Sequence, residues 1–330
     1  MRFHPYHLLG DTPNVVVDGS ATPSTVLTLS HWPGSPTPEG LQDDLSAQIV
    51  VRAVEQDAVP PAVDAVTNNH FDQDGLAGVA LLTLGDEAWR RRGQLVDLAR
   101  AGDFGTFADR DSMRVAMALA AFDDPDRSPL DRAVFAGGYE AQCGALYEAT
   151  LPRVLAMLDD PGTVRQWWED EDAHLDASMH AMASGAATVD EVPELDLAVV
   201  AVPEATATGL ASRFTITGAA ALHPVAVNMA TERMRVLVSQ GNRHRLELRY
   251  ETWVMYRSRP LMPRPDLRLL APRLDDLEGR ACWHADAPGA LTPALEADEA
   301  GSTLPLPRIR AEVEAFLRTA APAWDPWSPR

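Results

Sequence analysis

Two short apolar runs open the chain, Val15-Val16-Val17 and Val26-Leu27-Thr28-Leu29, each set between turn-forming residues. Such runs, rich in β-branched residues and bounded by Asp, Gly, Ser and Pro, read as strands over 14–18 and 25–30. Leu41, Leu45, Ile49 and Ala53 then repeat at the helical period and predict a helix over 41–54. A third apolar run, 62–67, leads through a polar junction into Leu76-Ala77-Gly78-Val79-Ala80-Leu81-Leu82, the start of another helix. Alternation of strand and helix implies parallel strands joined by right-handed crossovers. Helical patterns continue over 87–101, 112–122, 130–158 and 163–183, with Gly137-Gly138 and Pro152 as potential breaks in the third. A small and acidic stretch, 184–194, precedes a return of strand patterns at 195–202 and 213–217. Beyond it the periodicity predicts a helix over 228–239, a long strand over 245–256, and helices over 267–277 and 309–317. Residues 286–307 read as surface connections. The pattern as a whole predicts an α/β protein. Residues 1–187 form an N-terminal parallel sheet with helices, and residues 188–330 a smaller C-terminal α+β domain.

The polar junction Thr67-Asn68-Asn69-His70-Phe71-Asp72-Gln73-Asp74-Gly75 is the densest chemical signal. It lies where open α/β sheets bind ligands, outside the carboxyl end of a strand. His70, Asp72 and Asp74 alternate, and in extended backbone alternate residues point to one side. An oxygen-rich group with one His suits Mg or Mn better than Zn. The plainer reading is a turn followed by a helix N-cap, where Asp and Asn are common. His31 ends the strand at 25–30 and falls at the same sheet edge, which makes it a further candidate ligand. Asp103 sits in the glycine-flanked turn Gly102-Asp103-Phe104-Gly105, from which a carboxylate can approach a metal closely. Asp109 is the substitute, and helix caps at Gly102 and Asp111 are the ordinary alternative. His223, beside Pro224, reads as structural unless the second domain folds back over the first.

Charge and composition narrow the classes. The formal charge is −20, so the surface repels phosphate backbones and bulk nucleic-acid binding is excluded. Every one of the 28 basic residues is Arg. Without Lys there is no Schiff base and no P-loop. Cys143 and Cys282 form no metal-binding pair. Neither Gly-x-Ser-x-Gly nor Gly-x-Gly-x-x-Gly occurs. No apolar run approaches bilayer-spanning length, and the N-terminus lacks a signal-peptide core. A cytoplasmic protein with no membrane partner is expected. Against the acidic background, residues 243–264 hold Arg243, His244, Arg245, Arg249, Arg257, Arg259 and Arg264. Guanidinium groups bind phosphate bidentately. Arg245, Glu247, Arg249 and Glu251 equally fit ion pairing along one strand face.

His70-Phe71-Asp72-Gln73-Asp74-Gly75 resembles the first motif of the DHH phosphoesterase superfamily, Asp-x-Asp-x-Asp-Gly in some members. In members with His-x-x-x-Asp-x-Asp, Asn68 occupies the His position. The Asp-His-His triplet that names the superfamily does not occur here. The resemblance implies a pair of Mn or Mg ions held by His70, Asp72 and Asp74, with Asp103 as the later bridging Asp. It also implies hydrolysis of a phosphoester or phosphoanhydride. Gly241 to His244 is similar to a Gly-rich accessory segment whose His contacts substrate. On that footing His70, Asp72 and Asp74 are the expected catalytic residues, with His31 and Asp103 as further ligands. His244, Arg249, Arg257 and Arg259 are expected to hold a small phosphorylated or nucleotide-like ligand. A non-catalytic binding protein that retains the fold is the alternative. Oligomeric state, a homodimer included, stays open. Over its full length the chain resembles an uncharacterised bacterial domain family.

Overall fold

The strand over Asn14–Val17 is buried at every position, and it becomes an interior strand of a parallel sheet. In this computed structural model, which describes residues 1–212 and 218–329, that sheet comprises β1 (Arg2–Phe3), β2 (Asn14–Val17), β3 (Thr25–Leu29) and β4 (Ala65–Thr67). The order is β1-β4-β2-β3, with every neighbouring pair parallel. Burial on both faces is what a parallel sheet needs, and it explains the unbroken Val run. The expected strand at 213–217 lies outside the described residues.

The helices of this region follow in chain order as α1 (Ser46–Glu55), α2 (Gln73–Thr83), α3 (Gly85–Arg90), α4 (Arg92–Asp103), α5 (Arg110–Asp123) and α6 (Tyr139–Asp159), with α1 and α2 packed on the strands. Helix α2 lies close on β2: a Cβ built on Gly78 would meet Val17 Cγ1 at 2.5 Å. The expected helix at 41–54 begins only at Ser46, after a 3-10 turn at Glu39–Leu41. The expected helix at 87–101 is broken at Arg91 and runs on to Asp103. The 130–158 helix is interrupted at Gly137-Gly138, while Pro152 is accommodated inside α6. Helix α7 (Glu169–Ala183) follows a 3-10 stretch at Pro161–Trp167.

By its contacts the chain divides within α7. One unit comprises Met1–Ala173 with Ser212–Gly218, the other His174–Ala211 with Ala219–Arg330. The second unit is built on a six-stranded mixed sheet. Its strands are β5 (Thr188–Val192), β6 (Leu197–Val202), β7 (Arg235–Gln240), β8 (Arg243–Leu248), β9 (Trp283–Ala285) and β10 (Ala294–Ala297). The order is β9-β10-β8-β7-β6-β5, with only β6 and β7 parallel. Alternate residues of β6 enter two cores. Leu197 and Val199 pack with Leu274 of α9 (Ala271–Glu278) and with Ile309, Val313 and Phe316 of α10 (Leu306–Thr319). Val200 and Val202 pack with Leu222 and with Val227 of α8 (Pro224–Ala230).

Several expectations change here. Residues 228–239 are not one helix: α8 stops at Ala230, and the run Arg235–Gln240 is strand β7. Val236, Leu237 and Val238 are better suited to a pleated surface than to a helix. The long strand at 245–256 ends at Leu248 and turns through a 3-10 element at Tyr250–Thr252. Residues 184–194, expected as a connection, include the edge strand β5, and the 286–307 stretch includes β10. The mixed α/β architecture in two regions is the one the pattern predicts.

Candidate metal centre

Six acid or imidazole side chains come together at the carboxyl ends of β2, β3 and β4. Asp18 follows β2, His31 is the second residue after β3, and His70 lies in the junction after β4. Asp72 and Asp74 enter on the first turn of α2, and Asp103 ends α4. Asp18 is 1 % exposed, and His31 and Asp74 are wholly buried. The His70 side chain, 15 % exposed, is the widest opening to solvent among these residues.

The junction is not extended as the alternation suggested. Asp72 is the N-cap of α2 and its Oδ1 accepts from the Gly75 N–H at 2.8 Å. Asp74 is already helical, so the two carboxylates diverge. The atoms gather instead into two sets, Asp18–His70–Asp72 and Asp18–His31–Asp74, with the ligating atoms of each set within 4.8 Å of one another. Asp18 belongs to both. Asp103 sits on the His31 side, its Oδ2 3.4 Å from His31 Nε2. The junction is fixed from behind: Asn68 Oδ1 accepts from the His70 N–H at 3.1 Å, and Asn68 Nδ2 donates to the Tyr147 hydroxyl at 2.9 Å. Gly75 is required there, since a Cβ would lie 2.2 Å from Asn68 Nδ2 and 2.4 Å from the Tyr147 hydroxyl.

The hydrogen bonds around the His31 set pre-orient its donors. His31 Nδ1 lies 2.5 Å from the Asp44 carbonyl, which can only accept, so Nδ1 carries a proton. Nε2 is thereby turned toward Asp18 Oδ1, Asp103 Oδ2 and Asp74 Oδ2, at 3.3, 3.4 and 3.7 Å. All three are longer than an ordinary N–H···O bond of about 2.7–3.2 Å. Asp74 accepts two backbone N–H bonds at the start of α1, Ser46 to Oδ2 and Ala47 to Oδ1, both 2.7 Å. The Ser46 hydroxyl donates to Asp18 Oδ1 at 2.7 Å. Asp18 Oδ2 is buried, accepts no hydrogen bond, and lies 3.2 Å from His70 Nε2. A nitrogen aimed between three carboxylates and a buried oxygen with no donor fit a cation better than they fit one another.

Electrostatics point the same way. Burial works against the charged form of each imidazole. The surrounding carboxylates outweigh it: contact with Asp18 and the Asp18, Asp74 and Asp103 charges bring His31 to about 10. The Asp72 charge, with contacts to Asp18 and Asp72, brings His70 to about 10. Burial and the Asp18 charge push Asp74 up to about 7, against His31 and the Ala47 N–H. Burial, Asp72 and Asp74 also raise Asp103 well above the usual carboxylate range. Asp18 is the exception. Burial and Asp72 would raise it, but contact with both histidines holds it below its ordinary value. Buried charges cost several kcal/mol each unless paired. Four carboxylates and two imidazoles gathered this way make a candidate site, since strongly perturbed titratable groups concentrate where ligands bind.

Of the other expected residues, His223, His244, Arg249, Arg257 and Arg259 belong to the second unit. Arg249, in the second unit, pairs with Glu251 and donates to the Thr231 carbonyl at 3.0 Å. Arg257 lies over the Trp327 ring at 5.4 Å. Arg259 donates to the Glu232 carbonyl at 2.7 Å and lies 3.7 Å from Asp196. His244 is buried on β8, and burial lowers its pKa against the influence of the Leu304 backbone and Glu278. His223 caps α8, its Nδ1 accepting from the Val225 N–H at 3.2 Å. Asp109 caps α5. Asp18, absent from any motif, is the residue that sequence reasoning missed, although the strand-end rule that selected His31 applies to it equally.

The match to known families spans residues 1–328. The chain belongs to DUF6687, a family of unknown function. No curated protein and no solved structure matches it. Membership in DUF6687 agrees with the full-length resemblance to an uncharacterised family. It lends nothing to the phosphoesterase resemblance, which rests on residues 70–75. Among the described residues of this DUF6687 chain, no helix is long and apolar enough to cross a membrane.

Proposed function

We propose that the cluster holds two divalent cations, Mn or Mg, and that the protein is a metal-dependent hydrolase of small phosphoesters. The observation that carries this reading is the sharing of Asp18 between two three-residue sets. One carboxylate with an oxygen toward each set suits a two-ion site, and on this reading Asp18, rather than Asp103, would be shared by the two ions. Such ions, when bound, polarise phosphoryl oxygens and generate a hydroxide from water near neutral pH. The protein's own residues set the conditions. The Asp44 carbonyl fixes the His31 tautomer, and the α1 N–H groups orient Asp74. His70 is partly exposed and flanked by the Trp32 ring at 4.9 Å, which supports approach of a ligand on the His70–Asp72 side. The oxygen-rich donor set favours hard cations and phosphoryl chemistry.

The test is to load the purified protein with Mn, remove excess ion, and measure metal content and turnover on a panel of small phosphoesters. About two equivalents and Mn-dependent release of phosphate are expected. Two equivalents without turnover on any phosphoester would leave a metal-dependent binding protein. No retained metal would end the reading altogether.

A further inference from the structure

The two sets of ligands are not alike. His31, Asp74 and Asp18 are closed to solvent, whereas the His70 side chain is 15 % exposed. The hydrogen bonds that hold the ligands are just as uneven. On the His31 side, Nδ1 donates to the Asp44 carbonyl, Asp74 accepts from two backbone N–H groups, and Asp18 Oδ1 accepts from Ser46. On the other side Asp72 Oδ1 accepts from Gly75, the His70 N–H donates to Asn68, and the two ligands His70 and Asp72 bond each other at 3.0 Å, while His70 Nδ1 is buried without a hydrogen bond. The His70 ring is flanked by Trp32 instead of being anchored through its second nitrogen.

Groups that fix the ring and carboxylate orientation of metal ligands matter for affinity, and losing one typically costs 10–100-fold. Closed sites hold structural ions, whereas catalytic sites keep an open position. From this asymmetry we infer a division of labour, which rests on the two-ion reading above. The Asp18–His31–Asp74 position, with Asp103 beside it, holds a resident, slowly exchanging ion. The Asp18–His70–Asp72 position holds the weaker, exchangeable ion, and the phosphoryl group of the substrate meets that one. Loading is ordered, with the resident ion seated first. Ser46 is a positioning residue for the resident ion: its hydroxyl donates to Asp18, and it also accepts from the His31 N–H at 3.2 Å.

Calorimetric titration of the chelator-treated protein with Mn, followed by metal analysis after dialysis, tests this. Sharing Asp18 by itself makes the second ion weaker, because it enters beside a cation, so the variants decide. His70→Ala is expected to keep one tight equivalent through dialysis and to lose the weak event. His31→Ala is expected to lose the tight event. Ser46→Ala, a smaller change, is expected to weaken the tight event 10–100-fold while leaving the weak one within about threefold, and Ser46→Thr to recover most of the loss. Circular dichroism monitors folding, and if His31→Ala fails to fold, His70→Ala and Ser46→Ala still decide. A tight event that survives His31→Ala and vanishes in His70→Ala would overturn the assignment while leaving two-ion binding intact, as would a Ser46→Ala protein with wild-type tight binding. Absence of any Mn binding in the wild type would remove the underlying reading as well.

Discussion

Two regions of this protein bury charge, and they do it in opposite ways. In the second unit each buried guanidinium is matched within its own surroundings. Arg264, fully enclosed, donates to Thr252 Oγ1 at 2.6 Å and to the carbonyls of Pro288, Ala290 and Leu291 at 3.0, 2.5 and 2.7 Å. Arg235 donates to the Leu195 and Pro263 carbonyls. These arginines hold loops to the sheet. In the first unit, carboxylates face carboxylates; His31 Nε2 stands 3.3, 3.4 and 3.7 Å from three of them, and His70 Nε2 is shared between Asp72 at 3.0 Å and Asp18 at 3.2 Å. Matched charge of the first kind specifies a fold. Mismatched charge of the second kind costs stability and persists where a ligand compensates it. Within the Arg-rich stretch, which drew attention by composition, Arg249 pairs with Glu251 and Arg264 holds loop carbonyls.

The sharpest break of this comparison is Asp18→Ala. Because Asp18 serves both sets, the variant is expected to lose both Mn equivalents, whereas Asp72→Ala loses only one. Metal analysis after dialysis reads this directly. An Asp18→Ala protein that retains two ions would reduce Asp18 to a spectator and return the bridging role to Asp103.

Next in size is Arg264→Met. Removing a buried donor to a hydroxyl and four carbonyls is expected to destabilise the second unit, since each buried acceptor left without a donor costs about 1–3 kcal/mol. Metal content should not change. Urea unfolding and metal analysis on the same preparation measure both. Loss of Mn in this variant would contradict the separation of structural from functional charge.

Much of the site was legible because of one topological rule. Strand ends at 29 and 67 are readable from apolar runs, and His31, His70, Asp72, Asp74 and Asp103 do come together. Asp18 escaped because Asp18-Gly19 looks like an ordinary turn. Its importance depends on β2 lying between β4 and β3, a long-range fact that local pattern does not contain. Its positive φ of 52°, unusual for a non-glycine residue, is likewise invisible in the sequence. The role of Ser46 was hidden for the same reason, since Asp74 and Ser46 are 28 positions apart. In the second unit the helix expected at 228–239 merged α8 with β7. There the apolar residues around Met229 and Met234 blurred the change of period, and the strand identity follows from pairing with β6 and β8.

Proton competition gives a third test. His31 and His70 are raised from 6.5 to about 10. A raised imidazole stabilises the fold fully below about pH 6.5, and that contribution fades as the pH climbs through 10. Asp74, raised to about 7, is a carboxyl that prefers its proton in the fold, so its ionisation also removes stability as pH rises from about 4 through 7. With chelator present, stability to urea is therefore expected to fall from pH 6.5 to pH 9.5. With saturating Mn the fall should be smaller or reversed, because deprotonation frees the ligands that the ion needs. Parallel curves with and without Mn would show that protons and metal do not share this cluster.

The smallest effect separates the two views of the arginines. Arg259 donates to the Glu232 carbonyl and sits 3.7 Å from Asp196, about one third exposed. Partly exposed pairs of this kind contribute about 0–1 kcal/mol. Arg259→Ala is expected to lower stability by no more than that, and to leave binding of inorganic phosphate to the Mn-loaded protein within about twofold. An Arg that clamps a desolvated phosphate contributes roughly 1.5–3 kcal/mol, a loss of tenfold or more in affinity. Tenfold weaker phosphate binding in Arg259→Ala, with metal content unchanged and only partial recovery in Arg259→Lys, would return this arginine to the role that composition suggested. The comparison would then need redrawing, with matched charge in the second unit doing more than holding loops.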